Sequence, residues 1–271
     1  MNLHLFINWS FDAEIIPGYR TPNWYGLLFV SGMILGYFVI RKMFKQENIA
    51  NDLLDKLVMY MVPATVIGAR LGHVFFYGPY WGPEGYFSHP EEIFKIWEGG
   101  LGIWGAISLG VVGAWLRYRQ LAKRMQLPNF ALFLDALAPG ILFAQAVGRF
   151  GNWFNIELFG KPLQAPWALE VPVQYRPTGY SAFETFHPTF LYESVWCVLL
   201  AFALIKFGKN LAPGQVFSLY VMVYSIGRLA IESIRIDSAE IIAGLRLNIW
   251  VSLIVVVGGA VIFRIQSRKV D

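Results

Sequence analysis

The stretch FALFLDALAPGILFAQAVGRFGNWFNIELFG, Phe130–Gly160, decides how the rest of this 271-residue chain is read. Its first part, Phe130–Val147, is apolar except for Asp135 and Gln145, and its length falls within the roughly 17–25 residues that a bilayer-spanning helix needs. Pro139-Gly140 interrupts it, which a bilayer tolerates when neighbouring helices satisfy the freed backbone groups. Its second part changes character at once. Arg149 closes the apolar run, and a polar, asparagine-containing segment follows.

Six further runs of the same kind lie between charge clusters, at Trp24–Ile40, Leu57–Tyr77, Trp97–Leu116, Thr189–Ile205, Val216–Ile234 and Leu247–Phe263. Composition agrees with a membrane protein. Only 15% of residues are charged and 56% are hydrophobic, where a soluble domain carries roughly a quarter charged. The mean hydropathy is +0.48. Ten Trp and 17% aromatic residues suit a chain that crosses membrane interfaces repeatedly. The fold class predicted is therefore an all-α polytopic membrane protein, a single integral membrane domain over residues 1–271 with seven transmembrane helices.

Lys and Arg give the orientation. Thirteen of the 22 fall on one side of this arrangement and six on the other, while Arg70, Arg149 and Arg228 lie within helices or at their ends. The positive-inside rule then puts the N-terminus outside and the C-terminus in the cytoplasm of a bacterial inner membrane. The basic pI of about 9.1 is explained by this asymmetry, and no Lys/Arg stripe on a soluble domain points to a nucleic-acid partner. The N-terminal segment lacks the basic and apolar regions of a cleavable signal peptide, so the first helix is expected to direct insertion. Cys197 stands alone in an apolar run and reads as a small buried hydrophobe. The four histidines have no metal-ligand spacing, so neither metal nor cofactor is expected.

Residues 149–188 form the long connection between the fourth and fifth runs, outside on this topology. Its prolines argue against a long helix, aromatic residues such as Trp153, Phe159, Trp167, Tyr175 and Tyr180 argue against disorder, and Ala168–Val173 alternates as a short strand does. A small folded extracytoplasmic cap is predicted. Gly102, Ala106, Gly110 and Ala114 in the third run, and Gly32 and Gly36 in the first, have the spacing that lets membrane helices approach closely. Gly100–Gly105 matches the G-x-G-x-x-G dinucleotide pattern, but it opens a membrane helix instead of following a strand, so it is rejected.

Charges inside a bilayer cost roughly 2.5–3.5 kcal/mol each on insertion scales and mark candidate sites. Arg70 lies about 10 Å below the outer end of the second run by helical rise. Arg228 has a similar depth beneath Arg235, and Arg149 ends the fourth run. Tyr25, Glu98, His187 and Glu193 enter at the same outer level. Arg228, Glu232 and Arg235 form one helical stripe by their spacing of four and three. Glu98, Glu157, Glu193 and Glu232 are acids available to pair with these arginines, and an ion-paired seam between helices is one reading of them. A guanidinium, however, stays protonated and grips phosphate through paired hydrogen bonds. Several at headgroup depth describe a phospholipid site. Asp135, in the inner half of its helix, reads as a structural polar contact.

The segment GRFGNWFNIELFG, Gly148–Gly160, resembles the signature of the prolipoprotein diacylglyceryl transferase family. WYGLLF (Trp24–Phe29), GARLGHVFFY (Gly68–Tyr77), WEGGLGIWGA (Trp97–Ala106), HPTFLYE (His187–Glu193) and GRLAIESIR (Gly227–Arg235) resemble its other motifs, in family order over most of the chain. The resemblance implies a seven-helix fold with an active site open to the outer leaflet. Phosphatidylglycerol, a membrane lipid, would be donor, and the lipobox cysteine of a prolipoprotein signal peptide acceptor. A thioether would form and glycerol 1-phosphate leave. It also implies that Arg149 and Arg228 hold the headgroup phosphate, and that Tyr25, Arg70, Asn152, Glu157, Gly160, Glu232 and Arg235 occupy motif positions. The third-run motif carries Trp104 where the family has a histidine serving as base. That leaves Glu98, Glu232 or the arginine field itself to promote the thiolate, with His187 as an alternative base or a structural residue at a helix start.

Two other classes have sequence signals of their own. An anion or lipid transporter would place its site near the midplane between internal repeats, and the two halves show none. A non-catalytic membrane assembly factor would have the packing glycines without the arginine-led signature. For the topology, reporter fusions after Lys123 and Lys209 are expected to report cytoplasm, and fusions after Glu91 and Arg176 the outside. A cytoplasmic signal at Arg176 would overturn the placement of both cap and polar cluster.

Overall fold

The computed structural model describes residues 24–76, 85–96, 100–124, 126–239 and 241–267, apart from the side chains at 103 and 104. Glu98 lies outside the described residues, as does the side chain of Trp104. All seven apolar runs form long α-helices: α1 Trp24–Gln46, α2 Asn51–Phe76, α3 Ile103–Ala122, α4 Phe130–Phe154, α5 Thr189–Phe207, α6 Gln215–Glu232 and α7 Leu247–Ser267. Five of them, α1, α2, α4, α5 and α7, are long and apolar enough to cross a membrane. The other two are more polar: α6 carries Gln215, Arg228 and Glu232, and α3 carries Arg117 and Arg119.

Two boundaries differ from the sequence reading in ways that matter. The third helix starts at Ile103, not Trp97, because Gly100 takes a left-handed φ of 69° that an α-helix cannot include. The fourth runs on beyond Val147 to Phe154, since Gly148–Asn152 keeps helical hydrogen bonding up to the Asn155 N–H donating to the Gly151 carbonyl. The segment predicted as cap from 149 therefore begins inside a helix. Arg149 and Asn152 ride on the rigid end of α4 and not on a loop.

The chain divides into two compact units, residues Phe44–Pro128 and the remainder. In the first, α2 and α3 pack at Gly68 and Gly105. A Cβ on Gly68 would stand 2.2 Å from the Gly105 carbonyl oxygen, and one on Gly105 would stand 2.0 Å from that of Gly68. Only glycine permits this approach, which is the small-residue packing of membrane helices.

In the second unit, α4, α5 and α6 share a core of Ala138, Leu142, Ala146, Cys197, Leu200, Ala201, Leu204 and Tyr220. Gly32 and Gly36 seat α1 against the carbonyls of Ala144 and Gly140 on α4. The Asp135 carboxylate accepts from the N–H groups of Gly214 (2.5 Å) and Phe217 (2.7 Å) and so caps α6 from α4. Polarity is inverted relative to a water-soluble bundle. Phe38 and Ile254 are 60% and 69% exposed while Glu232 is 1% exposed, which suits helices solvated by hydrocarbon outside and ion-paired inside.

Between α4 and α5 a small two-stranded antiparallel ribbon forms, β1 (Leu169–Glu170) with β2 (Thr185–Phe186). Phe159, Leu169, Val171, Phe186 and Phe190 bury together beneath it. A second ribbon, β3 (Ile241–Ile242) with β4 (Leu245–Arg246), joins α6 to α7.

The α2–α3 contact gives a direct test. Gly68→Val or Gly105→Val should destabilise the protein by about 1–3 kcal/mol or more through overpacking against backbone. Gly258→Ala, where a Cβ meets nothing within 4 Å, should be neutral or mildly stabilising. Unfolding of each variant in mixed micelles checks the ranking, and equal effects at the two kinds of site would refute it.

Candidate active site

The signature segment turns sharply after α4. Ile156 and Leu158 both adopt left-handed φ, 51° and 59°, on either side of Glu157. Such angles are strained for these residue types, so other contacts must hold them. Asn152 and Asn155 each donate a side-chain N–H to Glu157 Oε1, at 2.8 and 3.2 Å. The Thr189 hydroxyl donates to the Leu158 carbonyl. The Gly160 N–H donates to the His187 carbonyl at 2.9 Å, and the Lys161 N–H to that of Ile234 at 2.8 Å, with Gly160 bridged to Arg235. This short segment thus ties the end of α4 to the start of α5 and the end of α6. Gly160 is required there, because a Cβ would lie 2.8 Å from that of His187 and 3.1 Å from the Ile234 carbonyl oxygen.

Those three helix ends bring the charges together. Glu193, on the second turn of α5, receives Arg149 Nη2 from α4 at 2.7 Å and Arg228 Nη1 from α6 at 2.9 Å. The Tyr224 hydroxyl, one turn before Arg228, also donates to Glu193 at 2.8 Å. Arg228 Nη2 reaches Glu232 at 3.0 Å along the same stripe. Glu232 has no exposed side-chain surface, and its second oxygen accepts from Arg246 Nε at 2.6 Å and Asn248 Nδ2 at 3.3 Å. Arg235 pairs with Glu232 at 3.2 Å, and Asp237 pairs with both Arg235 and Arg246, at 2.7 and 3.1 Å. Among the described residues four guanidinium groups face three carboxylates in one continuous chain. Burial of such a set is tolerable only because each charge has partners.

Within that network lie Arg149, Arg228, Glu232 and Arg235 of the residues singled out by sequence. Tyr25 sits nearby in the fold, its ring lying against Gly151 of α4. Asn152, Glu157 and Gly160 build the turn. Arg70 belongs to the other compact unit, where its guanidinium donates to the carbonyls of Ile93 (2.7 Å), Gly100 (3.0 Å) and Glu92. His187 takes the Tyr192 hydroxyl as partner at 3.1 Å, and Trp167 donates to the same hydroxyl. Burial, and then the positive charge of Lys161, push His187 below the ordinary histidine value, which favours the neutral ring.

The sequence reading missed four members of the network: Tyr224, Asp237, Arg246 and Asn248. It named Glu193 only as an acid available for pairing. Tyr224 carried a usable signal, lying four residues before Arg228 on one helical stripe. Arg246 is one of the six basic residues on the outer side by sequence, and nothing in its neighbourhood marks Glu232, fourteen residues earlier, as its partner.

Asp237 offers a pH test outside the helices. Burial opposes its ionisation, but the hydrogen bond and charge of Arg235 and the charge of Arg246 outweigh it and hold the carboxyl below the ordinary aspartate range. A lowered folded-state value means stability present above the unfolded value and lost as pH falls through the folded one. Acidification through that range should therefore lower the unfolding temperature of the wild type. Asp237→Asn should start about 1–3 kcal/mol less stable at neutral pH and lose less on acidification. Equal acid sensitivity of the two proteins would sink this account.

Comparison with known proteins places the chain in a family. The family model described as prolipoprotein diacylglyceryl transferase matches residues 16–265. A phosphatidylglycerol–prolipoprotein diacylglyceryl transferase of Frankia alni is 42% identical over 252 residues, covering 91% of this chain and 64% of the relative. The protein of that name from Cutibacterium acnes is 42% identical over 255 residues, 93% of this chain and 83% of the relative. The one from Streptomyces griseus is 47% identical over 219 residues, 79% of this chain and 63% of the relative. The chain thus spans a little under two thirds of the Frankia and Streptomyces relatives and most of the Cutibacterium one. With the match running from before α1 to the last turn of α7, this chain belongs to the prolipoprotein diacylglyceryl transferase family.

Proposed function

We propose that this protein transfers the diacylglyceryl group of phosphatidylglycerol to the thiol of the lipobox cysteine in an exported prolipoprotein. The observation that carries the proposal is the convergence of Arg149 and Arg228 on one carboxylate from opposite sides, at 2.7 and 2.9 Å. Two guanidinium groups held this close form a ready site for an oxyanion. Its relatives are named for phosphatidylglycerol, which supports reading that anion as a glycerophosphate headgroup.

The reaction breaks the bond between the diacylglycerol carbon and its phosphate oxygen and forms a sulfur–carbon bond. The electron pair of the broken bond and the proton of the thiol both end on the departing glycerol 1-phosphate, so atoms and charge balance. Arg149 and Arg228 stabilise the negative charge that grows on phosphate, in a site where few waters compete. The same positive field favours the thiolate over the thiol. Glu232 keeps Arg228, Arg235 and Arg246 aimed, and a carboxylate so paired is a poor proton acceptor. Glu98 is the remaining carboxylate candidate for that role. Tyr25, Asn152, Glu157 and Gly160 shape the headgroup site, His187 supports it, and Arg235 anchors the end of α6.

In this reading α3 and α6 also cross the membrane, giving seven spans in one integral domain over 1–271. Residues 155–188 cap the outer face, the N-terminus lies outside, and the membrane is the bacterial inner membrane. The α6 helix is short and polar for a span because its inner face is the site.

The first experiment supplies purified protein with phosphatidylglycerol labelled in its acyl chains and a lipobox peptide. Label should move to the peptide with release of glycerol 1-phosphate; lipid left intact, or only relocated across a bilayer, would defeat the proposal. The second replaces Arg149 or Arg228 by Lys. Charge is kept but the planar fork is lost, so transfer should fall by about a hundredfold or more with the helical fold retained. Normal turnover by both variants would leave only an electrostatic seam between helices.

A further inference from the structure

We propose that Glu193 is a resident counter-anion that occupies the phosphate position between Arg149 and Arg228, is displaced when the headgroup binds, and returns to expel the product. This rests on the transferase reading above and assigns a role to a residue that reading leaves unused.

Glu193 already fills the bridging position between the two arginines. Arg228 spends Nη1 on Glu193 and Nη2 on Glu232. Glu232 is fixed by three guanidinium groups and Asn248, so its hold on Arg228 is the harder one to break. A phosphate that bridges Arg228 Nη1 and Arg149 Nη2, as Glu193 now does, takes the place of its two oxygens. Glu193 therefore sits where that bridging phosphate would sit. Turning away costs it two guanidinium partners, while the Tyr224 hydroxyl remains as a donor able to follow it.

Charge then explains the return. Four guanidinium groups against three carboxylates leave one positive charge among the described residues of this network. A phosphodiester headgroup carries one negative charge and neutralises it. The phosphomonoester product, once its new hydroxyl ionises, carries two and overfills the site while Glu193 stays ionised. Repulsion between Glu193 and the product favours release, and the carboxylate closes the arginine pair again. Glu193 is thus a positioning residue that competes with ligand and does not need to touch the reacting carbon.

Glycerol 1-phosphate binding to the purified full-length protein, without any turnover, reads this directly. Glu193→Gln should bind it at least about tenfold more tightly than wild type, because the competing charge is gone. In steady state the same variant should show a lower KM for phosphatidylglycerol together with a lower kcat, as product lingers. Glu193→Asp, one methylene too short to span both arginines, should show the same shifts to a smaller degree and guards against misfolding of the amide variant. Unchanged or weaker binding in both variants, or a fall in kcat with KM unchanged, overturns the proposal and leaves Glu193 a structural bridge. Those outcomes remain distinct from failure of the transferase reading, which is decided by whether the wild type moves label from phosphatidylglycerol to the peptide.

Discussion

Glu232 has no exposed side-chain surface and is ionised among three arginines. Taking such a group out of water costs several kcal/mol before any partner is counted, and a hydrocarbon surround offers nothing in return. Arg228, Arg235 and Arg246 therefore have to arrive with it, and each brings its own requirement. Arg228 needs Glu193, Glu193 draws Arg149, and Arg235 and Arg246 share Asp237. The chain of pairings fixes the ends of α4, α5 and α6 and the connection into α7. Removing one member would strand a charge, which costs more than the pair contributes, so the network behaves as a unit.

The signature turn after α4 is the mechanical complement of that network. Two non-glycine residues in left-handed conformation flank Glu157, and the turn persists because Asn152, Asn155 and Thr189 hold it from both sides. Its continuation through Gly160 and Lys161 stitches the starts and ends of three helices with backbone hydrogen bonds. The relative positions of these three helix ends, and so of the charges they carry, are thereby fixed. The glycine contacts act at a coarser level. They bring helices close but do not aim any charge.

Much was legible before any coordinates. Apolar runs between charge clusters gave seven helices because hydrocarbon demands internal backbone pairing over a fixed length, and the motifs in their order gave the family. Arginine within helices singled out Arg149 and Arg228, and the structure brings both onto Glu193. The α4 boundary was misread because the polarity of Arg149 and Asn152 looked like a loop, whereas helical hydrogen bonding takes no account of side-chain charge and continues to Phe154.

What the sequence by itself determined is the set of one-dimensional quantities: hydrophobic length, the asymmetry of Lys and Arg, and the helical stripe from Arg228 to Glu232. What only the tertiary structure decided is who pairs with whom. Glu193 between Arg149 and Arg228 joins residues 44 and 35 positions apart in sequence, and Arg246 reaches Glu232 across a hairpin. Such pairings depend on the rotation of each helix about its axis and on where its neighbour ends. No local pattern encodes either, because both follow from satisfying every buried charge at once.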